Sequence, residues 1–495
     1  MAETLSYAAP LGTPVRRPIV ELLMLAGPTV AQMGSYTVMQ FIDTWMLAHV
    51  GTGVAEPTAA GNAGMLAFSV ISLGMGALWV VNTLVSQSFG RKDYVSCGRY
   101  LWQGVWFAAV FSVLLLPGLP YVSVLFRRVG HEPQVARLET VYFQIVVAAS
   151  ALKLIATAFG QFLLGVDRPG VVFASSVMGV SMNALAAWAL VFGHLGFRSM
   201  GVAGSAWAQN IGVFFEMAAL ICFALQPKIR RAFNVCDWKP RLSMFVTLMQ
   251  VGIPSGIQIV ADVLAWSLYG MWVMGIFGTK VMAANTFMFR YMVVSFMPAF
   301  GISSAVTALV GRYIGMGRLD IARKRADLAF AVTAAYMLTC GLFFFLGRNV
   351  LISLFSHDPE IQRVGAMLLV FAAVYQFFDA MYIIYNGALR GAGDTFVPAV
   401  ATAGLCWSMT VAGGYAVAKY RTNWGPAGPW TIATIYGIIL GLFMLIRFRR
   451  YEWKALDVPK ADGVIEPLVQ CQLPFYKPGL VASFKGNAAP DSGMP

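Results

Sequence analysis

Four carboxylates lie inside long apolar stretches of this 495-residue chain: Asp43, Glu216, Asp262 and Asp379. Only two bases, Lys153 and Arg290, share such surroundings. A carboxylate in hydrocarbon is costly unless it is paired, hydrated, protonated or bound to a cation. The acids outnumber the bases by two, so internal pairing leaves some of them uncompensated. Reversible capture of a proton or a monovalent cation is the chemistry this pattern offers. Covalent catalysis and transition-metal binding are not favoured. His49, His131, His194 and His357 are scattered without ligand spacing, and the six cysteines form no CxxC pair.

Asp379 has the most informative setting, YQFFDAMYIIYNGALRGAGDTFVP. It precedes Arg390 by eleven residues, about 16 Å along a helix. A hydrocarbon layer is about 30 Å thick. If Arg390 marks a membrane face, Asp379 sits near the midplane, where it is an ion or proton site or a neutralised packing acid. Asp43, in FIDTWMLAHVG, lies six residues before His49. Glu216, in NIGVFFEMAALICF, reads first as a buried structural acid. Lys153 and Arg290 are candidate partners for any of the four.

Helices must position these groups. The chain is 58% hydrophobic and 12% charged, with a mean hydropathy of +0.69, where soluble proteins carry about 25% charged residues. In lipid every backbone group needs an internal partner, and helices supply it within one segment. Short alternating segments of the kind a β-barrel needs are absent. The sequence predicts an all-α membrane protein with twelve transmembrane helices near 19–48, 58–89, 101–120, 138–165, 171–193, 201–225, 246–277, 282–314, 326–347, 362–390, 396–418 and 427–448. The net charge of +13 is carried in the loops between these runs, which argues against nucleic acid as the partner. Most basic residues fall in loops on the same side as the N-terminus, so both termini are expected in the cytoplasm. The first apolar run is too long for a cleaved signal and is expected to stay as a span.

The chain also repeats itself. Pro28 is answered by Pro254, LVSQSFGRKDYVSCGR by LVGRYIGMGRLDIARKR, and FGQFLLGVDRPGVV by YNGALRGAGDTFVP. Six spans per copy is an even number, so the two copies enter the membrane in the same sense. They are expected as two lobes related by a pseudo-two-fold axis along the membrane normal, with a substrate site between them. The predicted organisation is a cytoplasmic lead (1–18), an N-lobe (19–225), a basic linker (226–245), a C-lobe (246–450) and a disordered tail (451–495). FGRKD and LRGAGDT are expected to be turns that hold helix ends.

FIDTWMLAHVG, GIPSGIQIVAD and YQFFDA…ALRGAGDT, in this order across a duplicated twelve-span chain, resemble the multidrug and toxic compound extrusion (MATE) family in its NorM-like branch. The resemblance covers residues 19–450. It implies antiport of amphiphilic organic cations against Na⁺ or H⁺, by alternating access between the lobes, with no further cofactor. By the same resemblance, Asp43, Asp262 and Asp379 are the coupling acids. Tyr375 and Asn183 support them, and Na⁺, if used, binds at Asp262 and Asp379. The family typically has Glu at the position of Asp262, and often Asp or Asn at that of Ala187. Lys153 and Arg290 also depart from its pattern.

FMFRYMVVSFMP (287–298) could line a pocket for flat amphiphiles. From the count of acids and bases the cavity is expected to be net negative and to favour monocations, unless Arg290 projects into it unpaired. The expected setting is a monomer among the lipids of a bacterial-type inner membrane. A lipid-linked saccharide flippase of the same architecture is the alternative. An integral membrane transferase is the alternative from another class, and it lacks the His–Asp or metal cluster it would want at one membrane face.

Overall fold

The computed structural model describes residues 17–49, 55–128 and 132–450. The expected disordered tail, and all but the last two residues of the lead, lie outside these. The described residues are almost wholly helical and contain no strand. The helices are α1 (Pro18–Ala48), α2 (Ala55–Gly90), α3 (Tyr94–Arg128), α4 (Pro133–Ala148 continued by Ser150–Gly165 across a 45° bend), α5 (Pro169–Phe192) and α6 (Gly201–Ala224). They continue as α7 (Leu242–Phe277), α8 (Thr279–Gly315), α9 (Leu319–Ser353), α10 (Pro359–Ala392), α11 (Phe396–Tyr420) and α12 (Ala427–Arg450). By length and composition ten of them could cross a membrane, and bent α4 makes eleven. The twelfth, α1, has 31 residues but is diluted by Glu21, Gln32, Gln40 and Asp43.

Several helices outrun the predicted apolar segments. Helix α9 begins at Leu319 and α3 at Tyr94. Polar turns such as LDIARKR are good helix formers and extend the helix beyond the hydrocarbon layer. The 226–245 segment holds a short helix, Pro227–Ala232, and is tied to α3. Asp237 bridges Arg99 (2.9 Å) and Arg241 (3.2 Å), and Trp106 Nε1 donates to the Trp238 carbonyl (2.9 Å).

The hydrophobic cores are separate, which makes two lobes. One core runs from Leu47 to Val251, and the others are built from residues of the second half. The first turns of α1 and α7 cross over. Leu22 and Leu25 pack in the second half's core, while Leu248 and Val251 pack in the first half's. The lobes meet along a seam of small residues, as close helix packing in lipid requires. A Cβ on Gly90 would stand 2.1 Å from the Arg312 carbonyl oxygen, and one on Gly256 would stand 2.3 Å from that of Leu73. Thr29 Oγ1 donates to the Gly301 carbonyl (2.8 Å), and Thr83 Oγ1 to that of Arg390 (2.9 Å).

These contacts run from the middle of the bundle to the end that is rich in arginine. There Glu21 of α1 accepts from Arg312 Nη2 (2.6 Å), Arg325 Nε (2.8 Å) and the Tyr313 hydroxyl (2.8 Å). Asp167 accepts from Arg312 Nη1 (2.9 Å). The two acids come from the first half and the two arginines from the second, so the cluster clasps the lobes together. The turns at this end repeat as well. Lys92 (φ 63°) and Gly317 (φ 72°) follow α2 and α8, and Asp167 (φ 67°) and Gly393 (φ 90°) follow α4 and α10. Beyond Pro298 the stripe of α8 that meets α1 loses its cover. On α8 Gly301 and Ala308 are buried, but Val294 and Arg290, on the same helical stripe, are exposed.

Candidate functional site

Asp379 and Tyr375 are four residues apart on α10, hence on one face, and Tyr382 continues that face one turn further. Asp262 enters from α7. The charges of Asp262 and Asp379 act on each other and on Tyr375. The hydroxyls of Tyr382 and Tyr436 and the thiol of Cys406 flank the Asp262 carboxylate. Its Oδ1 atom is nevertheless buried without a hydrogen-bond partner among the described residues. An orphaned carboxylate oxygen carries its full desolvation cost. A proton or a cation at that point removes it.

The pocket is braced from several sides. Gln258 Nε2 donates to the Tyr382 hydroxyl (3.2 Å) and to Thr402 Oγ1 (3.1 Å). Trp266 stands edge-on to Tyr375, at 6.1 Å between ring centroids. Gly437 admits the Tyr375 ring, since a Cβ there would come within 2.5 Å of Cε2. The helix widens to π geometry at Tyr269–Val273 and Cys406–Gly413. Such bulges redirect side chains and are frequent at functional sites.

In the other lobe Asn183 Nδ2 of α5 donates to Asp43 Oδ1 of α1 (2.8 Å). The Asn183 Oδ1 atom is buried and unpartnered, leaving a free acceptor beside the carboxylate. Ala187, one turn on, is buried and adds none. Lys153 does not pair with Asp43. It stands 3.6 Å from Glu216 Oε2 and 4.6 Å over the Tyr36 ring, and the Tyr36 hydroxyl donates to Glu216. Glu216 and Lys153 therefore form a satisfied structural cluster.

Arg290 is exposed on α8 and has no hydrogen bond or ion pair among the described residues. Sequence reasoning missed Tyr382, Tyr436, Cys406 and Gln258. Tyr382 was within reach, because 375, 379 and 382 follow helical spacing; the others come from separate helices. It also left Glu139 uncounted, a fully buried acid that accepts from Asn62 Nδ2 (2.8 Å). No group of three or more His, Cys, Asp or Glu side chains that could hold a metal occurs among the described residues.

The MatE family model matches the chain twice, over residues 28–189 and 254–415. The chain belongs to the MatE family. The two matches are offset by 226 residues, the spacing of Pro28 and Pro254. Among curated relatives, the probable multidrug resistance protein NorM of Rhizobium meliloti is 28% identical over 436 residues, 85% of this chain and 90% of the relative. The multidrug resistance protein PmpM of Pseudomonas aeruginosa is 28% identical over 451 residues, 88% and 92% of the two chains. Among solved structures, the eukaryotic MATE transporter AtDTX14 superposes with a TM-score of 0.77 at 19% identity, covering 88% of this chain and 97% of its own. A MATE family transporter of the MOP superfamily in an outward-facing conformation gives 0.78 at 18% identity, covering 88% and 96%. This MatE protein is thus an integral membrane transporter and not an enzyme.

Proposed function

We propose that the protein is a secondary antiporter of a bacterial-type inner membrane, exporting amphiphilic organic cations in exchange for Na⁺ or H⁺. The observation that carries this reading is the Asp262–Asp379 pair, with one buried carboxylate oxygen left without a donor. Two like charges sharing one apolar pocket take up a single cation or proton readily. Asp43 with Asn183 is a second, simpler position of the same kind. The names of the relatives support a broad cargo range. With the termini in the cytoplasm, the arginine-rich end is cytoplasmic and the lobes part outward. Alternating access is then the breaking of the seam at one end and closure at the other. Release of the coupling ion and capture of cargo are linked because both relieve the same uncompensated charge.

Counter-transport in proteoliposomes, with Na⁺ and pH gradients imposed separately, tests this. One gradient should drive uptake of a cationic dye, and Asp379→Asn should abolish that drive while the protein still inserts. Full gradient-driven transport by Asp379→Asn would refute the assignment.

A further inference from the structure

The cargo's charge can be read from which side chains face the space between the lobes. Helix α8 has a lobe side and a seam side. Met288, Met292 and Ser295 are buried in the C-lobe. The opposite stripe holds Gly301, whose added Cβ would stand 2.8 Å from the backbone of Val30 on α1. Arg290 precedes Gly301 by eleven residues, about three helical turns, and so lies on the seam stripe. Val294, between them, is 59% exposed. Since this stripe is uncovered beyond Pro298, Arg290 stands on the face of α8 that looks toward the first half.

The facing walls are apolar. Phe41 follows Val30 by eleven residues on α1, and Phe68 precedes Trp79 by eleven on α2, where Trp79 touches Phe300 across the seam at 5.6 Å. Both phenylalanines are exposed, at 69% and 48%. The acids counted within spans do not share this surface. Asp43 is turned to Asn183, Glu216 to Lys153, and Asp262 and Asp379 to the interior of the C-lobe. Of the six charged groups that the sequence singled out within the spans, Arg290 is the one on the interlobe stripe.

We propose that Arg290 anchors an anionic group, a carboxylate first of all, on the amphiphile held between the lobes. The preferred cargo is then a zwitterion with a flat apolar body, not a simple monocation. A guanidinium offers a planar fork of donors that matches a carboxylate in two parallel hydrogen bonds. Phe41 and Phe68 supply a surface on which an aromatic body packs. The positive end of the cargo remains available to the acids of the coupling pocket. This inference rests on the export reading and narrows its substrate class.

The test uses two probes of one skeleton: tetramethylrhodamine, with a free carboxylate, and its methyl ester. Binding to the full-length transporter in lipid nanodiscs is followed by fluorescence anisotropy at neutral pH. Wild type should bind the acid more tightly than the ester. Arg290→Ala should weaken the acid by about tenfold to a hundredfold, the loss of a charge-assisted hydrogen bond pair, and the ester by less than about threefold. Arg290→Lys, which keeps the charge and loses the fork, should fall between. Retained ester binding shows that each variant is folded, and Arg290→Gln serves if the alanine variant is not recovered. Equal losses for both dyes, or an unchanged affinity for the acid, would overturn the proposal while leaving the export reading intact. Failure of wild type to bind either dye would overturn both.

Discussion

The clasp at the arginine-rich end makes a quantitative prediction. Glu21→Gln keeps the shape of the side chain and removes its charge. It converts two ion pairs, at 2.6 and 2.8 Å, into neutral contacts. The Arg325 side chain is 5% exposed and already has one buried nitrogen without a partner, so it gains no replacement. Breaking a fully buried pair costs about 3–5 kcal/mol. Here Arg312 keeps Asp167, and Glu21 is 15% exposed, so about 2–3 kcal/mol is the reasonable figure. The clasp exists only while the lobes are closed at this end, so the whole loss falls on the closed state. The ratio of open to closed should rise by about thirtyfold to a hundred-and-fiftyfold. Spin labels at Lys92 and Lys324, exposed positions on opposite halves, would report it by pulsed electron resonance as a new long-distance population. An unchanged distance distribution in Glu21→Gln would refute the view that this cluster holds the lobes together.

Two further variants follow from the same geometry and from the linker. Gly90→Ala places a methyl 2.1 Å from the Arg312 carbonyl oxygen, so it should open the seam in the same direction as Glu21→Gln in the same distance measurement. Asp237 is pushed up by burial, but the hydrogen bond from Arg99 and the charges of Arg241 and Arg99 outweigh this and hold it below its ordinary value. Its ion pairs therefore add stability above the ordinary carboxylate pKa, and that contribution is lost as pH falls through the lowered folded value. Asp237→Asn should lower the melting temperature at neutral pH, and the difference from wild type should persist down to about pH 4 and shrink only below it, as the pH falls toward the lowered folded value.

The architecture was legible because lipid imposes one strong rule, that spans be apolar and helical. The duplication was legible because Pro28 and Pro254 kept their places. The ends of α3 and α9 were not, because a polar helical turn reads like a loop. At the site, Asp379 and Asp262 stood out as charges in apolar runs, and Tyr375 and Asn183 came through the family resemblance. Tyr436 and Cys406 could not stand out, because a tyrosine or a cysteine in an apolar helix is ordinary until the fold brings it to a carboxylate. The count of acids against bases says little about the charge of the interlobe space for a similar reason: a count over spans does not know which way each side chain faces.

The left-handed turns bear on why the two halves remain one chain. Asp167 and Gly393 occupy equivalent turns, 226 residues apart. The first copy carries there the carboxylate that reaches across to Arg312; the second carries a bare glycine, and its next residue, Asp394, binds Arg447 of its own half at 2.7 Å. The position equivalent to Arg312 in the first half is Gln87, as Gly90 is equivalent to Gly315. Two first halves facing each other would present Asp167 to a neutral glutamine, and two second halves would present Arg312 to a glycine. The latch closes only between unlike copies. A dimer of either half alone would lack this ion pair.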